Sequence, residues 1–370
     1  MIKNLKNETD LSGFYFIYKG STNLEQKGTY GLAHAGEHLK CKAFDDLQDE
    51  LQANGISWNA YTSTNNIVFY FTGLEEYLAP YRDVIIERMY LPFEDYISVD
   101  AIENEKKIVL EEYGDSFNSQ NETFFMNFMR KKFNHYSPIG LREDIENLTF
   151  DICKDFFEKQ YNKPDMIINI SKTFEYKNDN LLFEDRAHLL RDDFFENLEA
   201  PLEDTAEYPN TTTMHYYKKI DSLDIPILKI INSMLCSGLN SPIYQEIREK
   251  RALCYYVGGN LTQIGKLNLI EFTILTSPDK VGEADTTLSD VLNNRDLHLT
   301  SNRLETIRKA SIISKKKSLI NRHTNINDIL DENVDILNNI IENVSLEEIL
   351  TVYDKYYDLS TFIKVDDKTY

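Results

Sequence analysis

Cysteine is scarce and scattered in this chain of 370 residues, tryptophan occurs once, and no apolar run approaches the roughly 20 residues that a membrane-spanning helix needs. The four cysteines, Cys41, Cys153, Cys236 and Cys254, form no paired metal-ligand spacing and no dense framework, which excludes a disulfide scaffold and a cysteine zinc module. Reduced thiols and a cytoplasmic setting are expected. Residues 1–20 mix Lys3, Lys6, Glu8 and Asp10 with apolar residues, so neither a secretory signal nor a membrane anchor is expected. Basic charge is also short: 40 Lys and Arg face 61 Asp and Glu, a formal net charge of -21. Nucleic acid is excluded as a partner, because phosphate binding requires concentrated Lys and Arg, and cationic ligands are favoured instead.

What is present is a hydrophobic content of 42%, enough over this length for two or three cores. Residues 13–19 read as a strand of aromatic and β-branched residues, followed by a helix over 30–43 and a second over 44–54 that Gly55 stops. Two strands at 56–63 and 67–72 flank Thr64-Asn65-Asn66, a hairpin signal. A helix after Asp100, with Glu103 three residues on as a capping-box variant, runs to Tyr113; a helix over 149–160 and a strand over 166–170 follow. Residues 172–210 are polar, with an acidic stretch over 192–204, and read as the linker to a second domain. Strand 213–218, helix 225–236, a Ser237-Gly238 turn and a helix from Pro242 come next. Residues 47–61 and 244–258 both read as a helix end entering an aromatic strand. The expected architecture is therefore α+β, with two related domains, 1–200 and 201–370, each a mostly antiparallel sheet packed with helices.

His34-Ala35-Gly36-Glu37-His38 is the sharpest signal. Residues four apart share one helix face, so His34 and His38 can aim imidazole nitrogens at a single ion, with Glu37 beside them to accept a proton from the water that the ion activates. A catalytic zinc site takes three protein ligands, so a distant acid is needed. On the helix after Asp100, Glu105 and Glu112 are seven residues apart and share a face, whereas Glu111 points away. We choose Glu112 as the third ligand and Glu105 as a neighbouring acid behind it.

The order of three motifs, Gly31 to Leu39, Asn59-Ala60-Tyr61-Thr62-Ser63 and Glu105 to Glu112, resembles the pitrilysin and insulinase family of inverted zinc peptidases. The resemblance implies Zn²⁺ held by His34, His38 and Glu112, with Glu37 as general base. It implies that Asn59 and Ala60 lie on an edge strand to which a peptide substrate adds as a further strand, a mode indifferent to side chains. The segment from Ser241 to Tyr255 is similar to the family segment whose Arg and Tyr contact substrate near the scissile carbonyl, which places Arg248 and Tyr255 as donors to a developing oxyanion and leaves Arg251 and Tyr256 aside. The sequence departs from the family at Ala35 and Gly36, where bulkier apolar residues are usual. The family encloses unfolded peptides in a chamber of two such halves, so a homodimer is implied, with basic peptides favoured by an acidic wall. The opposing class, a silent scaffold or assembly subunit of the same family, usually loses zinc-site residues, and here the set is intact.

Overall fold

The computed structural model describes residues 1–117, 120–190, 210–320 and 340–366. These form two compact units, one built from 1–190 and one from 210–318 and 340–366. The first unit contains strands β1 (Ile2–Lys6), β2 (Leu11–Lys19), β3 (Ser57–Thr62), β4 (Asn66–Leu74) and β5 (Met166–Ser171). Its helices are α1 (Leu32–Cys41), α2 (Gln48–Ala53), α3 (Glu75–Leu78), α4 (Arg82–Met89), α5 (Val99–Ser116), α6 (Gln120–Phe133), α7 (Arg142–Glu146) and α8 (Phe150–Gln160). The sheet order is β1-β5-β2-β4-β3, antiparallel except for the β1–β5 pair. Strand β2 is central because both of its faces are apolar: Phe14, Phe16 and Tyr18 join the helix-side core, while Tyr15 stacks on Tyr70 across the other face. Burying each such ring contributes roughly 1.5–3 kcal/mol. The hairpin forms where its residues predict it, closed by Ser63 N–H donating to Asn66 O at 2.8 Å, and it leaves β3 at the sheet edge.

The second unit contains β6 (Thr212–Ile220), α9 (Ile225–Cys236), a π-helical segment Tyr244–Glu249, β7 (Tyr256–Ile264), β8 (Leu267–Thr276), α10 (Val281–Asn293), a later helix Leu346–Tyr356 and β9 (Ile363–Asp366). Its sheet is wholly antiparallel in the order β7-β8-β6-β9. Strand for strand this is the arrangement β3-β4-β2-β5 of the first unit, with α9 in the place of α1 and β7 at the edge as β3 is. Each unit is thus a mostly antiparallel sheet packed with helices, and the two share one topology.

Several local expectations are corrected. The helix after Asp100 begins at Val99, because the Ser98 hydroxyl, two residues earlier, accepts from Ala101 N at 3.1 Å and supplies the N-cap. The helix expected over 30–43 starts at Leu32, since Gly31 sits at φ 102°, outside helical space. The helix expected over 44–54 narrows to α2, ended by Gly55 at φ 70°. The helix from Pro242 widens into a π turn, which lets Ile243, Ile247 and Leu253 all reach the core. Residues 172–190 are not a free linker: buried Arg186 pairs with Asp165 at 2.7 Å and Tyr176 packs in the first core. The acidic stretch 192–204 and the boundary at 200/201 lie outside the described residues. All four cysteines are free thiols, and among the described residues no helix is long and apolar enough to cross a membrane.

Candidate metal centre

The site is built on α1 and α5. Helix α1, like any helix, opens on four backbone N–H groups that lack intrahelical partners. The buried Glu25 carboxyl satisfies two of them, accepting from Gly31 N at 3.0 Å and Ala33 N at 2.7 Å. Gly36, the unusual residue of the motif, has a packing cause: the buried Tyr161 ring lies against it, and the Tyr161 hydroxyl donates to Ala33 O at 2.5 Å. A Cβ at position 36 would stand 2.7 Å from Tyr161 Cε2, and a ring held at its far end cannot swing away. Gly36→Ala should therefore destabilise the protein by about 1–2 kcal/mol despite its better helix propensity, lowering Tm by several degrees in a thermal melt. An unchanged or raised Tm would mean that Tyr161 yields.

Helix α5 carries Ile102, Glu105, Val109 and Tyr113 on its buried stripe. Glu105 is consequently enclosed, Glu112 sits at the rim of the same face, and Glu111 is exposed. His34 Nε2 lies 3.4 Å and His38 Nε2 lies 3.7 Å from Glu112 Oε2. The ligand atoms of these three residues all fall within 4.8 Å of one another, and among the described residues this is the group placed to hold a metal ion. Tetrahedral donors at about 2.0–2.2 Å from zinc stand roughly 3.3–3.6 Å apart, so the 3.4 Å contact falls within the span that zinc takes and the 3.7 Å contact lies just beyond it.

Protonation sharpens the fit. Burial, with His38 beside it, lowers the His34 pKa to about 4, so this imidazole is neutral near pH 7. The His34–Glu112 contact is then not an ion pair. His38 Nδ1 faces Glu105 Oε2 at 3.3 Å, so the proton belongs on Nδ1 and the lone pair on Nε2. His38 Nε2 and the Glu112 carboxylate thus converge with Nε2 of a neutral His34, whose other nitrogen, Nδ1, is buried without a hydrogen-bond partner. A cation satisfies such a group. On these grounds Glu112→Gln should weaken zinc binding by about 100-fold or more in a chelator-competition titration, since even partners that only orient ligands contribute 10–100-fold. Glu111→Gln should leave binding unchanged, and the reverse pattern would move the third ligand to Glu111.

Glu37 stands beside the donors. Burial raises its carboxyl pKa above the ordinary value, opposed by the Thr62 hydroxyl, which donates to Oε2 at 2.8 Å. Thr62 belongs to edge strand β3, which also carries Asn59 and Ala60, and the Ala60 N–H donates to Asn59 Oδ1 at 2.9 Å. An open pocket of about 450 Å³ adjoins His34, Glu37, His38 and residues 59–62, walled on the far side by Pro138 and Ile139. Sequence reasoning missed Thr62, Glu25 and the Pro138-Ile139 wall. Thr62 lay within the quoted motif, but only the fold brings it to Glu37. It also missed Lys42, 2.8 Å from Glu105, whose signal was its spacing four residues after His38.

Arg248 and Tyr255 belong to the second unit, and both are exposed. The Arg248 guanidinium lies 5.3 Å over the Tyr244 ring, and the Tyr255 N–H donates to Leu275 O at 2.8 Å. Arg251, by contrast, is engaged by the Thr287 hydroxyl at 3.0 Å. Helix α9, the counterpart of α1, reads Ile-Pro-Ile-Leu-Lys-Ile-Ile-Asn-Ser-Met-Leu-Cys and carries neither histidine nor acid.

A family model described as Insulinase (Peptidase family M16) matches residues 13–139, which contain every donor of the metal set. A second, described as Peptidase M16 inactive domain, matches residues 207–311, in the unit whose described residues form no such set. An uncharacterized zinc protease of Rickettsia bellii is 23% identical over 267 residues, covering 65% of this chain and 62% of that protein, so this chain spans less than two thirds of that relative's length. Among solved structures, a protease from Helicobacter pylori superposes with a TM-score of 0.76 at 16% identity, covering 99% of this chain and 96% of that one. The first half of the periplasmic protease PqqL from Escherichia coli gives a TM-score of 0.64 at 11% identity, over 98% of this chain and 88% of that half; of the whole PqqL chain, the match covers 46%. With one model on each unit, the same fold in these structures and the motif order read from the residues, the chain belongs to the insulinase family of peptidases, M16.

Proposed function

We propose that this protein is a zinc metalloendopeptidase that cleaves short unfolded peptides. The observation that carries the reading is the convergence of His34, His38 and Glu112, whose ligand atoms lie within 4.8 Å of one another, beside the Glu37 carboxyl. When bound, zinc lowers the pKa of a water ligand towards about 7 and polarises a carbonyl. Glu37 takes the proton of the attacking water and passes it to the leaving amine. Its raised pKa suits both halves of that transfer. Thr62 holds the carboxylate in place, and Glu105 orients His38. Asn59 and Ala60 on the edge of β3 pair with the substrate main chain, so recognition depends little on sequence. Arg248 and Tyr255 donate hydrogen bonds to the oxyanion as it develops.

A second copy of the chain supplies the other half of the chamber. Support comes from the two exposed donors lying on a unit other than that of the metal set, and from a fold like one half of a longer protease. The charge of -21 favours basic peptides, and the four free thiols suit a reducing, cytoplasmic setting. Metal analysis of the purified protein, with mass-spectrometric mapping of cuts in a mixture of short peptides, tests the reading. About one zinc per chain with internal cuts is the expected result. Bound zinc without cuts would make the protein a silent scaffold of the family, and absence of both would overturn the metal assignment as well.

A further inference from the structure

We infer that Lys42 is a positioning residue for the metal ligand His38, acting through Glu105. The inference rests on the zinc reading above and extends it by one residue. Lys42 closes α1 four residues beyond His38, on the histidine face of the helix. Its Nζ lies 2.8 Å from Glu105 Oε1, while the other oxygen of the same carboxylate, Oε2, lies 3.3 Å from His38 Nδ1. One carboxylate thus ties a cation at the rim to a ring nitrogen inside, with the Glu105 side chain only 5% exposed and that of Lys42 34% exposed.

An enclosed carboxylate is costly unless its charge is matched, and Lys42 supplies the match. With one oxygen anchored by the ammonium, the other cannot turn away from His38. The ring then keeps its proton on Nδ1 and directs Nε2 to the point 3.7 Å from Glu112 Oε2 where the donors converge. His34 has no comparable support, since its Nδ1 is buried without a hydrogen-bond partner. The orientation of the two imidazoles is therefore unequally secured, and the Lys42–Glu105–His38 chain carries the secured side.

Three versions of the full chain decide the matter: wild type, Lys42→Met, which keeps an apolar stem of similar length, and Lys42→Arg, which restores the cation. Zinc affinity is measured by competition with a chromogenic chelator, and the zinc-free melting temperature is measured in parallel. Lys42→Met should bind zinc about tenfold more weakly, at the lower end of the range for groups that orient a ligand, and its zinc-free melt should fall because Glu105 is left unmatched. Lys42→Arg should return most of the affinity and the zinc-free melt. Wild-type affinity in Lys42→Met overturns the inference and leaves the zinc reading standing. A lowered zinc-free melt that Lys42→Arg does not rescue overturns it in favour of a purely structural role. Failure of the wild-type chain to bind zinc removes the zinc reading, and this inference with it.

Discussion

Glu37→Gln should keep its zinc and lose about 10²- to 10⁴-fold in turnover, the usual contribution of a positioned general base. The amide has nearly the same shape as the carboxylate, and its oxygen can still accept from Thr62 Oγ1, which now lies 2.8 Å from Glu37 Oε2. The three donors converging from His34, His38 and Glu112 are untouched. What disappears is the basic lone pair that receives the proton. Stability should not fall, because the site is buried and the substitution removes a charge from it. Zinc content measured beside kcat on one peptide separates the two roles. Full turnover would remove Glu37 from the mechanism, and loss of zinc with turnover would make it a ligand or a structural support.

Two inactive variants should rescue one another if Arg248 and Tyr255 act on the metal centre of a second copy. In that arrangement each site joins the zinc set of one chain to the Arg/Tyr pair of its partner. Take Glu37→Gln as one variant and the Arg248→Ala, Tyr255→Phe double substitution as the other, and let them exchange subunits. In a mixed dimer one site inherits every defect and the other inherits none. Random pairing makes about half the dimers mixed, each with one working site of two, so activity should return to roughly a quarter of wild type. No recovery despite demonstrated exchange would place the pair within its own chain or outside the chemistry. A monomer by light scattering that still cleaves peptides would defeat the dimer.

The sequence by itself determined everything that depends on spacing along one element. His34 and His38 share a face because four residues make about one helical turn, and seven residues put Glu112 in line with Glu105 while Glu111 turns to solvent. The alternation of β3 and β4 about Thr64-Asn65 is equally local, as is the strand-helix-strand order repeated in both units. Helix limits were less legible, since Ser98 rather than Asp100 caps α5 and Gly31 holds α1 back to Leu32.

Only the tertiary structure decided which distant groups meet. Thr62 reaches Glu37 because β3 crosses beside α1, and the Glu25 carboxyl caps α1 because the loop before the helix folds back over its end. Gly36, where the sequence departs from the family, is the room that Tyr161 occupies from 125 residues away in the chain. Spacing put Glu105 on the face of Glu112, but only packing encloses it between His38 and Lys42. Periodicity follows from backbone geometry and can be read from one segment; pairing of buried polar groups follows from which segments pack together, and no single segment contains that information.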